Sequence, residues 1–129
     1  MKKQLLVQLV TAIFVSSCST LQSDNIKTFI PGVYVKEINQ EFAKGMDTIL
    51  ISVLDASNNK FKVINNSSYQ QSIDGKLQPL KNENHVYMAA YDDKSKELHI
   101  LNKERTFTFY PDQNKMQMGK SEYNKITKN

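Results

Sequence analysis

From Phe29 onward, the chain consists of short segments in which apolar and polar residues alternate, separated by turns about every ten residues. Asp47–Leu54 shows the pattern clearly, with Ile49, Ile51 and Val53 on one face. Alternation with period two places successive side chains on opposite faces of a strand. We therefore predict an all-β domain, an antiparallel meander of about eight strands that closes into a small barrel or packs as a two-sheet sandwich, because closure removes exposed edges.

Turn residues punctuate these segments. Asp74-Gly75 is the strongest hairpin signal, because both central positions of a type I′ turn need positive φ. We also predict turns at Asp55–Asn59, Asp92–Lys96 and Ala43–Met46, and a turn or bulge at Asn65–Ser68. The residues predicted to face inward are Val33, Val35, Ile49, Ile51, Val53, Phe61, Val63, Val86, Met88, Leu98, Ile100, Phe107, Phe109, Met116 and Met118. Leu50 and Leu54 indicate that the opposite face is partly covered too.

The first eighteen residues have the pattern of an export signal. Lys2 and Lys3 precede an apolar stretch, residues 5–15, which is too short to span a bilayer as an anchor. Val15-Ser16-Ser17-Cys18 then resembles the lipobox of bacterial lipoproteins. The resemblance implies a diacylglycerol (palmitate-type) thioether on Cys18 and cleavage before it. We predict a signal helix within a signal peptide at 1–17, a lipidated cysteine and tether at 18–28, and the β domain at 29–129.

The same resemblance gives an expected location. Ser19 follows the cysteine, where an aspartate retains many lipoproteins at the inner membrane. We therefore expect a lipid-anchored protein of the cell envelope, in the outer membrane rather than the inner one.

Composition excludes several classes of function. The formal net charge is +4, two of the basic residues are Lys2 and Lys3, and the lysines are scattered singly. There is neither a basic stripe nor an arginine-rich segment, so we expect no nucleic-acid partner. Cys18 is the single cysteine, so no disulfide contributes to stability.

Residues that could perform catalysis or bind metal are sparse. His85 and His99 have no partner at a metal-binding spacing, and His99 should point away from the core between Leu98 and Ile100. Asp55-x-Ser57-x-Asn59 resembles the start of a calcium loop, but Lys60 replaces its glycine, so an Asx turn is expected. The aspartates, Asp47 among them, fall at predicted turns or strand starts. We expect no enzyme activity, no cofactor and no metal site.

Three tyrosines are the candidate partner-binding residues. Tyr87 and Tyr91 alternate with Val86, Met88 and Ala90, and Tyr34 lies between Val33 and Val35. If the aliphatic residues face inward, the rings of Tyr34, Tyr87 and Tyr91 face outward and form a patch for a protein partner. The alternative is that these rings cover the second face of a sheet or close the mouth of a barrel.

Four segments resemble a group of small bacterial lipoproteins associated with conjugative and other mobile elements: Ile30–Val35, Gly75–Pro79, Phe109–Asp112 and Gly119–Ile126. The resemblance covers nearly the whole mature chain and implies a shared fold, with no assigned biochemical activity. Gly32-x-Tyr34 also resembles the opening Gly-x-Trp of lipocalin-like barrels, although this chain has no tryptophan.

Three hypotheses for function follow. The first is a non-enzymatic binding or accessory module, anchored to the membrane by lipid and bound to an envelope protein, for example in a conjugative-element complex. The second is a carrier that holds a small apolar ligand in a cavity lined by Phe61, Phe107 and Met118. The third is an inhibitor of a cell-wall hydrolase that uses the segment Leu77–Asn84 as a plug.

Overall fold

The computed structural model describes residues 24–126. The predicted signal helix and Cys18 lie outside this range. The described chain has a short helix α1 and nine strands, followed in order: α1 Asn25–Phe29, β1 Gly32–Gln40, β2 Ala43–Asp55, β3 Lys60–Ile73, β4 Lys76–Leu77, β5 Lys81–Asp92, β6 Glu97–Ile100, β7 Thr106–Tyr110, β8 Lys115–Met118 and β9 Ser121–Ile126. A short 3-10 helix, Pro111–Gln113, separates β7 from β8.

Eight of the strands form a closed antiparallel barrel. The order around it is β1, β2, β3, β5, β6, β7, β8, β9, so each strand pairs with the next along the chain. β9 returns to β1 through the pairs of Val33–Val35 with Ile126–Asn124. The short β4 pairs with the end of β3 alone. The predicted all-β meander is confirmed, and it forms a barrel rather than a sandwich.

The barrel wall is taller on one side. β2, β3 and β5 have 13, 14 and 12 residues, whereas β6–β9 have four to six each. β1, β2, β3 and β5 therefore extend past the other strands at the end opposite α1. We call the two ends the α1 end and the distal end.

Helix α1 covers the first of these ends. Phe29 makes edge-to-face contacts with Tyr34 and Phe109, at ring-centroid distances of 6.0 and 6.3 Å. Ile30, which follows the helix, is fully buried. The Nζ of Lys125 donates to the carbonyl oxygen of Phe29 and lies 4.0 Å from the centre of its ring. Contacts with the barrel thus begin within residues 24–28, which the sequence analysis assigned to the tether.

The core fills the barrel with side chains from all eight of its strands. Met118 is partly buried and packs against the core. Nine of the predicted inward residues are buried: Ile49, Ile51, Phe61, Val63, Leu98, Ile100, Phe107, Phe109 and Met116. The remaining core members are Ile30, Tyr34, Ala89, Tyr91 and Tyr123.

Five inward predictions are wrong. Val33 and Val35 are only partly buried, and Val53, Val86 and Met88 are exposed. In β1 and β5 the alternation was correct but its phase was reversed, because Tyr34 pairs with Ile49 and Ala89 with Phe61 across the ladder. Cross-strand partners share a face, so residues of the opposite parity lie outside.

A different cause applies to Val53. The register shifts between Val53 and Asp55, leaving Leu54 as an extra residue in β2. Such a bulge bends the strand and changes the direction of neighbouring side chains. Val53 still pairs with the buried Phe61, but it lies beyond Ile51, the last residue of β2 that pairs with β1, so it is exposed at the rim of the barrel.

Some of the predicted turns are confirmed and others are wrong. Asp74 and Gly75 have φ of 52° and 75°, which confirms the hairpin turn. The turn predicted at Ala43–Met46 is wrong, because β2 already begins at Ala43. Asn65–Ser68, predicted as a turn or bulge, lies within β3, and the Lys81–Asn84 part of the segment considered as a plug lies within β5. Both segments have polar side chains, but their backbones pair with neighbouring strands. Local composition does not reveal such long-range pairing.

Candidate functional site

Cys18, the predicted lipidation site, lies outside the described residues. The chain enters the described structure at Asp24, which caps α1 by accepting hydrogen bonds from the backbone N–H groups of Ile26 and Lys27 at 3.0 and 3.1 Å. Among residues 24–126, no helix has the length and hydrophobicity to cross a bilayer.

Tyr34 is a core residue rather than part of a surface. Its ring is fully buried, and its hydroxyl donates to the carbonyl oxygens of Ile30 and Phe29 at 2.8 and 3.0 Å. Burial raises the pKa of its phenol, which therefore remains a donor. The prediction that Tyr34 faces outward is wrong, because its bulky ring and polar tip fit the covered α1 end.

Tyr91 has a similar structural role. Only 5% of the residue is exposed, and its hydroxyl donates to Asp24 Oδ2 at 2.7 Å. Lys96 Nζ contacts the same oxygen at 2.9 Å. Burial would raise the pKa of Asp24, but the hydrogen bonds from Tyr91, Lys96 and the Lys27 backbone, with the charge of Lys96, lower it to about 2. The outward prediction for Tyr91 is also wrong.

Tyr87 lies on the interior face near the distal end. Its ring is half-buried against the core and stacks on His85, with ring centroids 6.1 Å apart. Tyr34, Tyr87 and Tyr91 therefore share the interior and do not form an outer patch. Of the alternatives considered from the sequence, closing the ends of the barrel describes them better.

The reversed phase places an apolar row on the outside instead. Leu50 pairs with Val33 on one side and with Ile64 on the other. Val33 in turn pairs with Ile126, and Ile64 with Val86. Five apolar side chains from β9, β1, β2, β3 and β5 thus stand side by side on the outer wall. We call Ile126, Val33, Leu50, Ile64 and Val86 the outer apolar row.

The row is accessible at both ends. Ile126 and Val86 are 49% and 58% exposed, and Met88, one outward position further along β5, is 50% exposed. Val33, Leu50 and Ile64 are partly exposed between them. Toward the distal end, the adjacent register row is mostly uncharged and polar: Asn124, Val35, Thr48, Asn66 and Asn84. On the other side the row is flanked by Ser52, Lys62 and Met88. An apolar centre with a polar rim is typical of a protein-binding surface.

A polar network lies inside the distal end. Asp47 is half-buried and accepts hydrogen bonds from Asn65 Nδ2 at 2.6 Å, Ser67 Oγ at 2.8 Å and the Tyr123 hydroxyl at 2.6 Å. The sequence context of Asp47 predicts that it begins a strand, but it lies five residues into β2. Asp47 has the same strand parity as the buried Ile49, and Asn65 and Ser67 have the same parity as the buried Val63. This alternation in the sequence places all three on the inner face.

The groups of this network satisfy one another's hydrogen bonds. Burial and the hydrogen bond to Asp47 raise the pKa of Tyr123, so its phenol stays protonated and donates. Both Asp47 oxygens have donors, and the network contains no histidine or thiol that could act with them as a base or nucleophile. We conclude that it satisfies polar groups where the barrel wall opens.

His99 and the aspartate turn lie as the sequence predicts. His99 faces away from the core, since Leu98 and Ile100 beside it are buried, and its Nδ1 lies 3.0 Å from Thr106 Oγ1. Asp55 Oδ1 accepts from Ser57 N at 3.2 Å and Ser57 Oγ at 2.8 Å, which is an Asx turn. No cluster of three metal-ligating side chains occurs between Asp24 and Ile126.

The cavity in the barrel core is small. The cavity between the core and the distal network is lined by residues including Val63, Tyr87, Arg105 and Phe107, and measures about 10 Å³. That volume is on the scale of a single water molecule. Phe61 and Phe107, which a carrier would use to line its ligand site, pack against their neighbours with about 1% exposure each.

Comparisons with known proteins add no further constraint. A scan against protein-family models and searches of curated proteins and of solved structures found no match.

Proposed function

We propose that this protein is a lipid-anchored, non-enzymatic binding module of the cell envelope, which docks on a partner protein through its outer apolar row. Acyl chains on Cys18 hold it in a membrane. This is the outer membrane, because Ser19 stands where an aspartate would retain a lipoprotein at the inner one. The resemblance to lipoproteins of mobile elements supports an accessory role in a conjugative or other envelope complex.

The observation that carries this proposal is the outer apolar row itself. Soluble surfaces scatter single apolar side chains, whereas here five neighbouring strands each contribute one in register. A bilayer surface is favoured by several basic and aromatic side chains, while this row has amides and hydroxyls on its distal side and Ser52, Lys62 and Met88 on its other side. The chemistry therefore favours a partner protein with its own apolar patch.

The two other hypotheses receive less support. A carrier needs an internal site, and the interior cavity of about 10 Å³ is far smaller than the several hundred Å³ of a typical ligand pocket. A plug-like inhibitor needs a protruding loop at Leu77–Asn84. In this segment Leu77 pairs with Ser72, and the β5 portion from Lys81 pairs with β3.

Site-specific photocrosslinking tests the proposal. A photoreactive residue replaces Val86 in the full-length lipidated protein, and intact cells are irradiated. Thr108, whose neighbours Phe107 and Phe109 are buried, points outward from the opposite wall and is the matched control position. We expect a discrete adduct with an envelope protein from position 86 and none from position 108.

A second substitution makes the result specific. Ile64→Ser in the same protein should reduce the adduct from position 86 while the barrel remains folded, since Ile64 lies on the outer face. Equal adducts from both positions, or none from position 86, contradict docking through the row.

A further inference from the structure

The chain enters the barrel beside two turns of the α1 end. Asp24 contacts Tyr91 and Lys96, which flank the β5–β6 turn. Lys27 Nζ donates to the carbonyl oxygen of Ala56 in the β2–β3 turn at 3.2 Å. The two turns also contact each other, since Asn59 Nδ2 donates to Asp93 Oδ2 at 3.0 Å. The segment that arrives from Cys18 therefore meets the barrel where these two turns lie.

An exposed apolar pair stands at this same end. Val53 and Leu54, at the close of β2, are 50% and 51% exposed. Val53 lies beyond the last residue of β2 that pairs with β1, and the bulge between Val53 and Asp55 leaves Leu54 without a ladder partner. Two adjacent aliphatic side chains thus face solvent at the edge of the barrel, next to the β2–β3 turn.

The chain between the anchor and Asp24 is short. Five residues, 19–23, separate Cys18 from Asp24, and even fully extended this link reaches only about 20 Å. β2 alone has 13 residues, so its length is about 40 Å. An anchored barrel therefore cannot stand upright on the bilayer with its distal end downward, whereas its α1 end lies within reach.

Charge does not provide the attraction at this end. The turns at residues 55–59 and 92–96 carry three aspartates and two lysines between them. Because these charges nearly balance, a stable contact with a membrane surface has to come from burial of apolar side chains.

We propose that Val53 and Leu54 insert into the interfacial region of the bilayer that holds the acyl chains of Cys18. The barrel then stands with its α1 end on the membrane and its distal end directed away. This orientation rests on the proposed lipid anchor, and it leaves most of the outer apolar row on the side wall, open to a partner.

Tryptophan fluorescence measures this orientation, because the chain contains no tryptophan of its own. Leu54→Trp is introduced into the full-length lipidated protein, which is reconstituted into phosphatidylethanolamine–phosphatidylglycerol vesicles with or without brominated acyl chains. Leu77→Trp, at a site that is 68% exposed in β4 near the distal end, is the matched control. Flotation of the vesicles measures the anchor separately.

We expect both variants to float, and we expect bromine to quench Trp at position 54 several-fold more than Trp at position 77, with a blue-shifted emission at 54. Flotation without preferential quenching at position 54 overturns the orientation and leaves the anchor standing. Failure of the proteins to float contradicts the anchor itself, and the orientation falls with it.

Discussion

Asp24 shows how much one carboxylate does at the α1 end. It caps α1, accepts the hydroxyl of the buried Tyr91 and pairs with Lys96. These contacts lower the pKa of Asp24 from 3.8 to about 2. A depressed carboxyl pKa stabilises the fold at pH values above its unfolded value, and this contribution is lost as pH falls through the folded value. The sensitive window therefore lies between about pH 4 and pH 2.

We expect Asp24→Asn to lower the free energy of unfolding by up to about 2 kcal/mol near neutral pH, with a deficit that vanishes toward pH 2. Urea unfolding followed by circular dichroism across this pH range measures the difference. Asp74→Asn is the control, because asparagine tolerates the positive φ of that turn. A deficit for Asp24→Asn that is the same at pH 2 and near neutral pH contradicts the assignment.

The environment of Asp47 is set by residues that are distant in the sequence. Aspartate is common at turns and strand starts, and the sequence predicts that Asp47 begins its strand. Its position inside the barrel depends on Ser67 and Tyr123, which lie 20 and 76 residues away along the chain. Local sequence does not report partners at such distances.

At the scale of elements, the backbones of β2 and β3 approach each other closely at Gly45. Gly45 in β2 pairs with Tyr69 in β3, and a Cβ atom placed on Gly45 would lie 2.0 Å from the Ser68 carbonyl oxygen and 2.5 Å from Tyr69 Cα. Both atoms belong to the backbone, so a side chain at this position must push the two strands apart.

We expect Gly45→Ala to destabilise the protein by about 1–3 kcal/mol and to accelerate amide hydrogen exchange in the distal parts of β2 and β3. Hydrogen exchange with mass spectrometry on the folded protein locates the effect. Lys44→Ala, at the exposed neighbouring position, is the control. Equal exchange in the two variants shows that the strands can absorb the methyl group without separating.

At the scale of the whole molecule, the interior of the barrel is filled by one packed core. Phe61 is 1% exposed at the centre of this core, and truncating such a side chain leaves a cavity. We expect Phe61→Ala to cost about 3–5 kcal/mol, and Phe42→Ala, at an exposed hairpin tip, to cost far less. Thermal unfolding of both variants beside the wild type measures these losses.

The same measurement addresses ligand carriage. A ligand that binds only the folded state raises Tm with its concentration. Because the wild-type interior is filled, we expect an excess of a long-chain fatty acid to leave its Tm unchanged. A concentration-dependent rise would favour the carrier hypothesis over a binding module.

The sequence by itself determined the class of fold and most strand positions, because period-two alternation and residues such as Asp74 and Gly75 act over a few neighbours. Only the tertiary structure decided which face is inside. β1 and β5 carry apolar or aromatic residues on both faces, and period two is symmetric between them. Closure of the barrel fixed the register, which placed Tyr34 and Tyr91 inside and Val33 and Val86 on the outer wall.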